Sequence, residues 1–179
     1  GLETGTIVYA YKKPKPITHP LTKRFVGHLI KIVGSITILD YKEGFYEGYV
    51  DRAFEEFEDG IPVASFDFPS PEIVVVEEPP YVEGNIIASL SGHEELGLGN
   101  IVFLDKGSAS GVERGYMLDI FRKGATIARL GSPEKRTSLP PQRIGKMIVV
   151  LTQELTCTAV ITEASRPVHV GDRFTSSIY

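Results

Sequence analysis

Ten stretches, over 6–11, 27–33, 35–40, 45–52, 73–76, 85–90, 100–104, 116–122, 143–152 and 156–163, are rich in β-branched, aliphatic or aromatic residues, and most of them alternate these with polar ones. Gly, Pro, Asp or Ser separates them. A period of two places successive side chains on opposite faces of a pleated strand, and so many short strands at this spacing predict an all-β protein, a barrel or a sandwich. Val170-Gly171-Asp172-Arg173-Phe174 reads as a turn into one more strand. Only 50–58 offers a helical pattern, with Val50, Ala53, Phe54 and Phe57 at i, i+3, i+4 and i+7; nine residues make a marginal helix or a bulged hairpin arm.

The most Pro-dense place holds Pro69, Pro71, Pro79 and Pro80 around Ile73-Val74-Val75-Val76. Proline removes a donor and fixes φ, so a sheet does not run through it. The expected organisation is a first β-barrel-like unit over 1–68, a Pro-rich linker over 69–82 and a second unit over 83–179. The stretch 124–141, with Gly131-Ser132-Pro133 and Glu134-Lys135-Arg136, is expected to be an exposed mobile loop.

The two halves repeat. Gly5-Thr-Ile-Val-Tyr-Ala-Tyr-Lys-Lys lines up with Gly115-Tyr-Met-Leu-Asp-Ile-Phe-Arg-Lys, Gly27-His-Leu-Ile-Lys-Ile-Val with Gly145-Lys-Met-Ile-Val-Val-Leu, and the block from Tyr46 to Gly60 with that from Cys157 to Gly171. Glycine, alternation and order agree across three blocks, which implies two tandem small barrels related by duplication. The second copy opens with Asn100-Ile-Val-Phe-Leu-Asp-Lys-Gly, and the equivalent part of the first copy is expected ahead of Gly1. The first residues show neither an initiator Met nor a basic-then-apolar signal region.

Composition narrows the function. Of 179 residues 42% are apolar and 23% charged, and no uninterrupted apolar run is long enough for a transmembrane helix. Nineteen Lys and Arg against 23 Asp and Glu give a net charge of −4. No basic footprint for a phosphate backbone is present, and the aromatic residues alternate with Val and Ile instead of interleaving with Arg and Lys; nucleic acid is not an expected partner.

Motifs for catalysis are missing. Gly107, Gly111 and Gly115 recur at four-residue intervals beside Lys106 and Ser108, but neither the P-loop nor the dinucleotide-loop spacing is present. They read, with Gly27, Gly60, Gly145 and Gly171, as structural turn glycines. His19, His28, His93 and His169 lie far apart without metal-ligand spacing. Glu55, Glu56, Glu58 and Asp59 could hold Ca²⁺, but the Asp-x-Asp-x-Asp-Gly spacing is absent and a charged arm is the reading preferred. Cys157, the single cysteine, excludes an intrachain disulfide and reads as a small buried hydrophobe. The expectation is a non-enzyme without cofactor or metal.

Asn100-Ile-Val-Phe-Leu-Asp-Lys-Gly-Ser-Ala-Ser-Gly-Val, followed by Leu-Pro-Pro-Gln-Arg-Ile-Gly-Lys-Met-Ile-Val-Val and Val-His-Val-Gly-Asp-Arg-Phe, resembles the region after the LysM module in LysM-containing bacterial envelope proteins. More distantly it is similar to the C-terminal barrel of the flagellar assembly protein T. His19-Pro20-Leu21-Thr22 through Val33-Gly34 is similar to the first unit of that architecture. The resemblance implies an exported, periplasmic or envelope-associated module, a spacer or protein-interaction domain, whose peptidoglycan contact is made by a LysM domain outside these residues. The alternative is a pair of barrels that binds a glycan or small molecule between the copies.

Overall fold

The computed structural model describes residues 1–129 and 132–176. The protein is all-β. Its strands are β1 (Ile7–Tyr11), β2 (Lys15–Thr18), β3 (Phe25–Leu29), β4 (Ile32–Lys42), β5 (Phe45–Ala53), β6 (Val63–Ala64), β7 (Glu83–Ser89), β8 (Ile101–Leu104), β9 (Met117–Arg122), β10 (Thr126–Arg129), β11 (Ser132–Ser138), β12 (Gln142–Thr152), β13 (Cys157–Ala164) and β14 (Arg173–Thr175). A single 3-10 turn, Ser108–Ser110, is the one helical element among the described residues, and no helix there is long and apolar enough to cross a membrane. The nine-residue pattern over 50–58 therefore does not form a helix: β5 runs to Ala53, and Phe54 N and Glu55 N both donate to Val33 O.

The chain divides into two compact units, Gly1–Pro16 with Gly27–Pro69, and Ile17–Val26 with Ser70–Tyr179. In the second, six strands close a barrel in the order β12-β13-β8-β7-β14-β9. Its interior is filled by side chains such as Ile86, Leu104, Leu118, Met147, Ile161 and Phe174, all essentially buried. Each large side chain so buried contributes about 1.5–3 kcal/mol, and closure leaves no strand edge unpaired. The stretch 73–76 forms no strand; Val76 alone bridges in parallel to Tyr116. The expected loop over 124–141 is instead largely a two-stranded antiparallel arm, β10 with β11, whose apex lies outside the described residues.

The first unit is an open four-stranded sheet in the order β5-β4-β1-β6, not the barrel the sequence implied. Its ladders nonetheless match those of the barrel. Ile7 pairs with Thr37 and Ala10 with Gly34; Met117 pairs with Ile148 and Ile120 with Gly145. The β4–β5 ladder skips between Ser35 and Ile36 and again between Ile38 and Asp40, and β12–β13 skips between Lys146 and Met147 and between Val149 and Leu151. Tyr9 opposite Ala64 has its counterpart in Asp119 opposite Thr175. Turn bonds repeat as well: Gly5 N donates to Ile38 O as Gly115 N does to Val149 O, both at 2.8 Å, and Phe54 N donates to Val33 O as Ser165 N does to Ile144 O.

These ladders correct the alignment of the middle block. Gly145 corresponds to Gly34, not to Gly27, which lies in β3 and pairs within the separate β2–β3 ribbon. Gly27-His28-Leu29 and Gly34-Ser35-Ile36 both offer a glycine, a polar and an apolar residue, so composition alone does not distinguish them. What the first unit lacks is any counterpart of β7 and β8, the pair that joins β13 to β14 in the barrel.

Candidate functional site

The residues with chemical potential are tied into structural nodes. His19 is buried; its Nδ1 accepts from Leu21 N (3.1 Å) and Thr22 N (3.2 Å), which leaves the proton on Nε2 to donate to Asp105 Oδ2 at 3.0 Å. Asp105 also accepts from Asn85 N and Nδ2. This node sequence reasoning missed, since nothing in the spacing of residues 19, 85 and 105 links them. Arg122 clasps both oxygens of Asp172, reaches His169 Nδ1 at 2.9 Å, and donates to Pro167 O. Every acceptor around that guanidinium belongs to the turn before β14, so the cluster fixes a turn. Its attached charge and hydrogen bonds hold the Arg122 guanidinium above its ordinary range, with Asp172 as the main cause.

Cys157 points its thiol into the barrel. Burial first, and the Asp105 charge second, push it up to about 12, so it carries no thiolate at neutral pH. His28 and His93 are exposed, on β3 and in a turn. Among the described residues no group of three His, Cys, Asp or Glu could hold a metal ion.

The acidic run separates into two roles. Glu55 bridges Lys12 Nζ at 2.6 Å and Lys31 Nζ at 2.5 Å, and those two contacts hold its carboxyl down at about 2. Glu56, Glu58 and Asp59 stay exposed on the arm after β5. Of the expected turn glycines, Gly60, Gly111, Gly115 and Gly171 adopt positive φ, and Gly107 is extended ahead of the 3-10 turn. Gly27 and Gly145 lie inside strands, which corrects the turn role expected of them. A cavity of about 260 Å³ beside β9 is rimmed by Glu77, Glu78, Asp119 and Lys146, with Asp119 already paired to Arg143.

The open sheet of the first unit has a different character. Among the described residues no strand pairs with the outer edge of β5 or of β6. Every residue of β5 is exposed, including Phe45, Tyr46, Tyr49 and Val50. Position by position, the contrast with the barrel is sharp. Tyr46, Val50 and Val63 are 40%, 50% and 50% exposed, whereas their ladder counterparts Cys157, Ile161 and Phe174 are 1%, 0% and 1% exposed. The side chains suited to a barrel interior are thus present without the strands that would cover them. The outer side of β1 is covered differently, by Phe66 and Phe68, whose rings meet Tyr9 and Tyr11, with Phe68 edge-on to Tyr9 at 4.9 Å. β5 is nine residues long with an unpaired outer edge, and Phe45, Tyr46, Tyr49 and Val50 are exposed on it between the charged Glu47, Asp51 and Arg52; such an edge is the surface that accepts another strand.

No protein-family model matches the chain, and no curated protein matches it.

Proposed function

We propose that the protein is a non-catalytic interaction module of the bacterial cell envelope, built by duplication of one β unit. The second copy is a complete barrel, and the first is the same sheet left open. Duplication is supported by the ladders, in which pairings and bulges recur at a constant separation of 110 or 111 residues. Independent sheets have no reason to skip at matching positions.

One observation carries the interaction role: the exposure of Tyr46, Val50 and Val63 at positions whose counterparts form the barrel core. Isolated exposed apolar residues are ordinary, but here they stand on both unpaired edges of one sheet, Tyr46 and Val50 on β5 and Val63 on β6, and such edges gain stability when covered. The envelope location follows from the resemblance to the region after LysM modules, and in this reading peptidoglycan is held by a LysM domain outside these residues.

A sedimentation assay tests the role. Purified protein mixed with insoluble peptidoglycan stays in the supernatant if this module only presents surface to protein partners. Saturable co-sedimentation would favour direct glycan binding and overturn the proposal.

A further inference from the structure

We infer that the open side of the first unit, from β5 round to β6, is completed by a two-stranded antiparallel β-hairpin patterned like β7–β8, carried by the polypeptide joined to Gly1. The inference rests on the duplication just proposed and names what the open edge takes up.

The barrel supplies the template. There β8 pairs along β13, with Leu104 opposite Cys157 and Ile101 opposite Val160, while β7 pairs along β14, with Gly84 opposite Phe174. Carried over through the shared ladders, the second strand of the hairpin lies along residues 46–49 and the first along 62–64. It would cover Tyr46, Gly48, Val50 and Val63, the counterparts of Cys157, Ala159, Ile161 and Phe174. Gly48, the position of Ala159, is exposed here, while Ala159 is fully buried. Residues at these positions are apolar or small although water reaches them.

The path of the chain identifies the carrier. Gly1-Leu2-Glu3-Thr4-Gly5 corresponds to Gly111-Val112-Glu113-Arg114-Gly115. Gly5 and Gly115 share positive φ, +87° and +93°, and Thr6 N donates to Glu3 O as Tyr116 N does to Glu113 O. In the second unit, polypeptide reaching Gly111 comes from β8 through a short turn. The same approach to Gly1 places a β8-like strand within a few residues of the β5 edge, where its effective concentration exceeds that of any free strand.

The test copies residues 80–110 of this chain in front of Gly1 and follows backbone amide exchange. The expected result is exchange at least about tenfold slower at the outward amides of 46–49 and of 63–64 than in the unextended protein. Exchange in β12 and β13 reports that the barrel is intact. Val50→Asp and Val63→Asp in the extended protein should abolish the new protection, while in the unextended protein these exposed positions accept Asp with little change. Unchanged exchange in the extended protein overturns the inference, as does protection in the unextended protein that rises with its concentration, which would give the edge to a second copy. The duplication is judged separately: if β4–β5 and β12–β13 differ in register the duplication fails, whereas shared registers with an unprotected β5 defeat only the hairpin.

Discussion

Gly34 and Gly145 each stand where a Cβ would meet the carbonyl oxygen across the ladder, that of Arg52 and of Glu163. The same steric demand at the same place beside the same bulge ties the two units together more tightly than the surrounding apolar residues, which any strand could share. Other single residues carry predictions of their own. Cys157, buried and held protonated up to about 12, should resist alkylation by iodoacetamide at pH 8 and react fully in denaturant; rapid labelling of the folded protein would contradict its placement. Glu55 makes a pH prediction. Its carboxyl titrates at about 2 in the folded state, below the unfolded value of 4.5, because Lys12 and Lys31 grip it. A depressed carboxyl stabilises above its unfolded pKa, and that contribution is lost as pH falls from about 4.5 toward 2. Thermal unfolding followed from pH 6 to 2 should therefore show a shallower acid-side loss for Glu55→Gln than for the parent protein.

At the level of strands, the barrel and the open sheet make opposite demands on equivalent positions. Ile161→Ala should cost about 2–5 kcal/mol, since it empties volume in a closed interior, while Val50→Ala should stay within about 0.5 kcal/mol because water already reaches it. Equal losses in denaturant titrations would mean that β5 is covered. Most strands were legible from alternation, because half-buried ladders impose a period of two on residues such as Ile7 to Tyr11 and Met117 to Arg122. β6 was not, because two residues paired to Tyr9 and Ala10 leave no period to read. β10 and β11 were hidden by Pro133 and a polar composition, since a two-stranded arm needs no apolar face. The His19–Asp105 node was invisible for another reason: it depends on a turn meeting a strand end 86 residues away, and only the folded chain brings them together.

For the whole molecule, we propose one repeat used twice, once closed and once open. Duplication could be suspected from glycines and alternation, but its register could not be read from them, as the misplacement of Gly27 against Gly145 shows; bulges and cross-strand carbonyls decide it. The sequence matches no stretch of the first unit to 100–104, but the open sheet itself was not legible, since Tyr46, Val50 and Val63 look like core residues until the sheet order shows no strand on their outer side. The measurement that bears most directly on this account is the set of cross-strand proton contacts in the NMR spectrum of the isotope-labelled protein. The predicted result places Ser35 opposite Arg52 and Ile36 opposite Val50, repeats that skip at Lys146–Glu163 and Met147–Ile161, and gives β13 contacts to β8 while the outer edge of β5 gives none. An unbroken β4–β5 ladder, or strand contacts along the outer edge of β5, would contradict it.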